Sequence, residues 1–217
     1  MCGRFSVTSE KSYLEDRFSA KFAEPFLPRF NAAPSQKLPV ITNNHADKIQ
    51  LLSWGLKPEW WKKTKGRRDG IINVRMETLR DKWTFKKDFQ NQRCLVLADG
   101  FYEWTKVNGK QPYRITLKKE EPFAMAGIWE ENSDADGQFF TFSIITCDAN
   151  QKLSKIHQRM PVILDKAEEK DWLGSDESIW MELLDSYPGK NLHMYPVSKE
   201  VNVPTRDHPG VIEEIKL

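Results

Sequence analysis

Met1-Cys2-Gly3-Arg4-Phe5 opens the sequence with a cysteine at position 2. A small residue there is the condition for removal of an initiator methionine, and Gly3 behind it adds no bulk. With Met1 gone, Cys2 carries an α-amine and a thiol on adjacent carbons. Such a 1,2-aminothiol condenses with an aldehyde. The amine gives an imine, and the sulfur then closes a five-membered thiazolidine on the same carbon. Reference pKa values of about 7.7–8.0 for the amine and about 8.5 for the thiol leave both partly nucleophilic near neutrality. The plain alternative is a cysteine of no chemical consequence in a frayed terminus. The rest of the sequence has to supply the partners.

A second stretch with chemical character is Trp60-Trp61, set directly before Lys62-Lys63-Thr64-Lys65-Gly66-Arg67-Arg68. Aromatics interleaved with cations suit a surface that stacks on unpaired bases and holds phosphates. A solvated loop beside a core aromatic is the alternative. Three cysteines, Cys2, Cys94 and Cys147, are too few and too scattered for a disulfide framework or a zinc site. The histidines His45, His157, His193 and His208 also lack ligand spacing, so neither metal nor cofactor is expected. Cys94 and Cys147 lie in apolar segments and read as buried structural thiols. The expected compartment is a reducing cytoplasm, which would keep Cys2 as a thiol.

These residues need a scaffold. At 217 residues the chain can bury a core unaided, and 39% hydrophobic with 29% charged residues is a globular composition. No apolar run is long enough to span a membrane, and no secretory signal pattern is present. A formal net charge of +2 neither requires nor opposes nucleic-acid binding. Ser9 reads as a helix cap, with Tyr13, Leu14, Phe18 and Phe22 on one buried face. Prolines between Pro25 and Pro34 indicate an extended loop. Strands are expected over 38–42 and 49–54, separated by the turn-like residues 43–47. In Ile71-Ile72-Asn73-Val74-Arg75, alternation sends Ile72 and Val74 inward and Asn73 and Arg75 outward together. A short helix is expected at Met76-Glu77-Thr78 and another helical turn at Phe85 and Phe89. The middle is β: 93–98, 101–107, a hairpin at Asn108-Gly109, then 111–117, 123–130, a turn at Asp136-Gly137, and 139–147. Helices follow near 150–156, from Lys166 and over 178–184, then a strand over 192–197. No repeat or linker appears. The expectation is one α+β domain over 1–217, an antiparallel sheet curled into a barrel-like core with flanking helices. The tail from Asn202 to Leu217 carries no readable signal.

Four stretches in fixed order resemble the SOS-response-associated peptidase (SRAP) family, the abasic-site shielding proteins. They are Met1-Cys2-Gly3-Arg4-Phe5, Ile72-Asn73-Val74-Arg75-Met76-Glu77-Thr78, Ala98-Asp99-Gly100-Phe101-Tyr102-Glu103-Trp104 and Ile156-His157-Gln158-Arg159-Met160-Pro161. Asn31-Ala32-Ala33-Pro34 and Trp54-Gly55-Leu56 through Trp60-Trp61 also match, so the resemblance runs from Cys2 to about Val197. It implies a protein that binds abasic sites in single-stranded DNA and attaches covalently through Cys2. The ring-opened deoxyribose supplies the aldehyde, and the expected product is a thiazolidine that shields the lesion from strand cleavage.

The resemblance also distributes roles. Glu103 is the acid that opens the sugar ring, in an aromatic setting that would raise its pKa. His157 holds the sugar hydroxyl or ring oxygen and assists proton transfer. Asn73 orients the Cys2 amine or the sugar. Arg4, Arg75 and Arg159 are expected on flanking phosphates, Asn31 joins the DNA-contact set, and Trp60 and Trp61 stack on a base or wedge at a single–double strand junction. A monomer is expected. Two rival functions remain open: a cysteine-type (auto)peptidase, which needs Cys2 and His157 within hydrogen-bond reach, and a noncovalent single-strand binding module.

Overall fold

The first strand of the chain, β1 (Phe5–Val7), is three residues long and wholly buried. The computed structural model describes residues 2–58, 69–79, 83–105, 110–134 and 137–217. Met1, Trp60, Trp61, the basic run 62–68, Asn108-Gly109, where the sequence suggests a hairpin turn, and Asp136 lie outside them.

Five strands close into a barrel. β4 (Lys37–Thr42) and β5 (His45–Trp54) form a hairpin around Asn43-Asn44, tighter than the five-residue turn expected from composition. β4 pairs antiparallel with β7 (Arg93–Ala98), which pairs with β10 (Phe123–Asp134), which pairs with β11 (Gly137–Asp148). A parallel pairing of β11 to β5, Phe142 opposite Trp54, completes the ring. Inside, Trp54 stacks on Phe142 with ring centroids 6.4 Å apart, and Phe5 leans against Trp54 at 5.1 Å. β7 is buried along its whole length because α3 (Glu168–Leu173) covers its outer face. Trp172 of that helix donates to the carbonyl of Cys94 at 3.0 Å. An apolar strand without polar alternation is what such two-sided burial selects. Cys94 and Cys147 are buried free thiols.

β7 runs through Asp99 straight into β8 (Gly100–Trp104), part of a second sheet of order β14-β9-β8-β1-β3. Here β9 is Pro112–Leu117, β14 is Leu192–Pro196 and β3 is Arg29–Ala32. Successive β8 side chains face opposite ways. Phe101 joins the main core, whereas Tyr102 joins a smaller cluster with Tyr195, Val197, Val201 and Val211. The tail, unreadable in sequence, supplies Val211 to that cluster, packs Ile212 against it and folds over the outer face of the sheet.

Other local expectations shift. α1 (Lys11–Phe18) starts after Glu10, without a side-chain cap, and ends at Ser19 in the left-handed region. Phe22 therefore falls in β2 (Lys21–Phe22), not on the helix face. Ser9 gives its N–H and hydroxyl to Asp99 at 3.0 and 3.3 Å. The proline-punctuated stretch contains β3, and the helix expected near 150–156 is a single 3-10 turn, Leu153–Lys155. Two further helices are α2 (Trp83–Asn91) and α4 (Glu177–Trp180).

Candidate active site

The chain start reaches the site along β8. Phe5 pairs with Phe101, and Tyr102 donates its N–H to the Arg4 carbonyl at 3.0 Å, so the residues before Phe5 continue toward Glu103. Cys2 is fully buried, and its thiol donates to the Arg4 carbonyl at 3.6 Å. Asn73 stands on β6 (Asn73–Arg75), a short strand parallel to β11 with Asn73 opposite Ile144. Its Nδ2 donates to the Cys2 carbonyl at 2.8 Å. Its Oδ1 is buried without a hydrogen-bond partner among the described residues and is positioned to accept one from a ligand or an amine. Val74 points into the core and Arg75 outward, the alternation expected of the segment.

Glu103 lies on the same face of β8 as Phe101 and is 2% exposed. His157 follows the 3-10 turn and precedes β12 (Arg159–Pro161). Its N–H returns to Leu153, and its Nδ1 lies 3.9 Å from Glu103 Oε1. Burial holds the Glu103 carboxyl above the usual glutamate range, with His157 among the influences that oppose it. The Cys2 thiol is also pushed up, first by burial and then by the Glu103 charge. The cysteine is therefore held as S–H, beside a carboxyl that takes up protons readily. The His157 side chain is 23% exposed, which marks the side from which a reactant can enter.

Asn73, Cys2, Glu103 and His157 are thus one connected group. The other residues singled out in the sequence divide. Arg75 is exposed; its carbonyl accepts from the Thr78 hydroxyl at 2.8 Å, and its positive charge adds to the Arg159 hydrogen bond in holding the Glu77 carboxyl below its usual range. Arg4 sends Nη1 to Asn31 Oδ1 at 2.8 Å and to the Val201 carbonyl at 2.6 Å. Asn31 is fully buried, and its amide donates to the carbonyls of Val201, Val203 and Arg206 at 2.9–3.2 Å. This side chain ties β3 to the tail and has no surface to offer. The Arg159 guanidinium is held by Glu77 and Asp148. Trp60 and Trp61 lie outside the described residues. No group of three or more His, Cys, Asp and Glu side chains that could hold a metal ion occurs among the described residues.

Sequence reasoning missed three supports: Asp99, Arg114 and the tail segment 201–207. Asp99 was in view, inside Ala98-Asp99-Gly100-Phe101-Tyr102-Glu103-Trp104. Arg114 and the tail gave no local signal, because their partners are up to about two hundred residues away in sequence.

Comparison with known proteins matches a family model described as SOS response associated peptidase (SRAP) to residues 1–204. The chain is 38% identical over 224 residues to abasic site processing protein YoqW of Bacillus subtilis (strain 168), covering 98% of this chain and 99% of that one. Abasic site processing protein YedK of Escherichia coli (strain K12) is 30% identical over 93% of this chain and 94% of its own. Abasic site processing protein HMCES of Rattus norvegicus is 32% identical, covering 100% of this chain and 77% of its own. A crystal structure of a Bacteroides thetaiotaomicron protein superposes with a TM-score of 0.89 at 26% identity, over 99% of this chain and 100% of that one.

Proposed function

The chain belongs to the SOS response associated peptidase (SRAP) family, and from that premise we propose that it captures abasic sites in single-stranded DNA through a covalent bond to Cys2. The observation that carries the reading is the setting of Cys2. Its carbonyl is fixed by Asn73, and its thiol feels the field of Glu103, which in turn lies beside His157. The names of the relatives supply the substrate class, DNA with abasic sites.

The chemistry follows from that arrangement once Met1 is removed. Glu103, in its acid form, protonates the ring oxygen of the deoxyribose; the C1′–O4′ bond breaks as the C1′ hydroxyl loses its proton, and an aldehyde results. The Cys2 amine adds to C1′, and the carbinolamine loses water to give the imine. The thiol sulfur then adds to the same carbon. The thiol proton passes to the imine nitrogen by way of the Glu103 carboxylate, closing the thiazolidine with a net loss of one water. His157 holds a sugar hydroxyl on the open side, and the Asn73 bond keeps the amine aimed. Arg75 and Arg4 provide charge for flanking phosphates, and Trp60 and Trp61 provide faces for unpaired bases. Asn31 and Arg159 act behind the surface as struts.

The family description also names a peptidase. A cysteine peptidase activates its nucleophile by lowering the thiol pKa. Here burial and Glu103 push it the other way, so capture by amine first and sulfur second is favoured. The test is an oligonucleotide with one abasic site, incubated with the protein and run on a denaturing gel. A shifted band is expected, absent with Cys2→Ala and accompanied by a protein mass lacking Met1. Cys2→Ser should retain an imine that borohydride traps. A band of equal strength from Cys2→Ala would sink the proposal.

A further inference from the structure

Residues 6–9 are fastened to one carboxylate. Asp99 Oδ1 accepts from the Ser6 hydroxyl at 2.7 Å and from Arg114 Nη2 at 3.0 Å. Asp99 Oδ2 accepts from the Thr8 N–H, the Thr8 hydroxyl at 2.9 Å, the Ser9 N–H at 3.0 Å and the Ser9 hydroxyl at 3.3 Å. Its own N–H donates to the Ser6 carbonyl at 2.9 Å. Arg114, on β9, also reaches Ser6 Oγ with Nε and Nη2 and the Tyr195 hydroxyl with Nη1 at 2.6 Å. Both members of the pair are buried, Asp99 at 5% and Arg114 at 7% exposure. Gly100 is what lets the guanidinium lie across the strand, since a Cβ there would stand 2.6 Å from Arg114 Nε.

A chain end is normally the least fixed part of a domain. Here the reactive residue is at that end, and β1 is only three residues long. The β1–β8 ladder stops at Ser6 opposite Gly100, and the pairing of β1 with β3 shifts register between Phe5 and Val7. Strand pairing alone therefore specifies register weakly. A slip of one residue would turn every side chain of the segment to the opposite face and carry Cys2 away from Glu103. Donors from three of the four residues 6–9 converging on one carboxylate exclude that slip.

We propose that the Asp99–Arg114 pair is the positioning device for the nucleophilic chain end, locking residues 6–9 to the corner between β7 and β8 so that Cys2 stays in reach of Glu103. The inference rests on the proposed capture by Cys2. Ser6 is four residues from Cys2, about 13 Å of extended chain. The pair acts on the reaction only through the placement of Cys2.

The experiment compares the parent with Asp99→Asn, Ser6→Ala and Thr8→Val. For each, the cross-linking rate at saturating abasic strand, the half-saturating strand concentration, Tm and amide hydrogen exchange at residues 5–9 are measured. The expected result for Asp99→Asn is a fall in the saturated rate of about tenfold or more, since small misplacements of reacting groups are costly. The half-saturating concentration should stay within about twofold, because no DNA contact is lost. Exchange at the Thr8 and Ser9 amides should quicken. Ser6→Ala and Thr8→Val should show smaller changes in the same direction, and they decide the matter if Asp99→Asn does not fold. Variants that cross-link at the parent's rate, or whose rate merely tracks Tm, overturn the inference. A parent that forms no cross-link at all overturns the capture reading itself, and exchange at Thr8 and Ser9 still reports on the anchor.

Discussion

The backbone N–H of Arg159 reaches Nδ1 of His157 at 3.0 Å, so this arginine acts on the imidazole with its main chain. Its side chain is engaged elsewhere. Nη1 meets Glu77 Oε1 at 2.6 Å and Asp148 Oδ1 at 2.7 Å, while Nη2 meets Glu77 Oε2 at 3.0 Å and the Thr146 carbonyl at 2.5 Å. A guanidinium shared between two carboxylates adds no net positive charge to a DNA surface. It holds the turn that presents His157 beside Glu103.

Arg75 and Arg159 should therefore separate in a salt titration. Single-strand binding loses about 0.7 in the slope of log affinity against log salt for each phosphate contact removed. Arg75→Ala is expected to flatten the slope by about that amount. Arg159→Gln should leave the slope alone and slow cross-linking instead. Equal slope changes from the two variants would show that Arg159 reaches the backbone of the DNA after all.

Asn31 should behave as a structural clamp. Its amide donates to three carbonyls of the tail, its Oδ1 accepts from Arg4, and its N–H rests on Asp207. Asn31→Ala leaves buried acceptors unpaired and is expected to cost about 2–3 kcal/mol. Calorimetry would read this as a drop in Tm of about 5–10 °C. An unchanged Tm with weakened DNA binding would return Asn31 to the DNA-contact set.

How much of this was legible depends on where each partner lies. The alternation in Ile72-Asn73-Val74-Arg75 correctly separated Val74 from Arg75, because a half-buried strand writes its faces into every second residue. Glu103 was legible for the same reason, sharing a face with Phe101. The parallel closure of β5 onto β11 left no local mark, since it depends on two segments some ninety residues apart. Helix α1 was misjudged at its start because Ser9 hydrogen-bonds to Asp99, a long-range partner, in place of capping its own helix, and at its end because Ser19 turns into the left-handed region before Phe22. Arg4, Asn31 and Arg159 were legible as important polar residues, but what engages them is remote in sequence. Residue type could not separate a phosphate contact from a strut.

Asp88 offers a test of burial away from the site. It lies on α2 at 4% exposure, and burial raises its carboxyl from 3.8 to about 6. A raised carboxyl favours the native state when protonated; that advantage is complete below pH 3.8 and lost as pH climbs through about 6. Asp88→Asn removes the dependence. Relative to the parent it should gain up to about 3 kcal/mol at pH 8, and nothing at pH 3.5. Denaturant melts at the two pH values check this, and an equal difference at both would assign Asp88 an ionised partner.

Glu103 carries the last prediction, because its two consequences run in opposite directions. Burial raises its carboxyl, so the native state favours the protonated form. The stabilisation is full below the unfolded pKa and is lost as pH rises through the folded one. Glu103→Gln should accordingly match the parent in Tm at acid pH and equal or exceed it at pH 8. Cross-linking should respond in reverse. In the parent the rate rises as the Cys2 amine loses its proton and falls as Glu103 loses its own, giving a bell-shaped profile. The amide cannot donate the proton that opens the sugar, so Glu103→Gln should be slower by about a hundredfold, with a profile that only rises with pH. A site acid maintained at a cost to the fold requires both results. A variant that is slower but keeps the bell, or that melts earlier at pH 8, would make Glu103 a packing residue and transfer the acid role to His157.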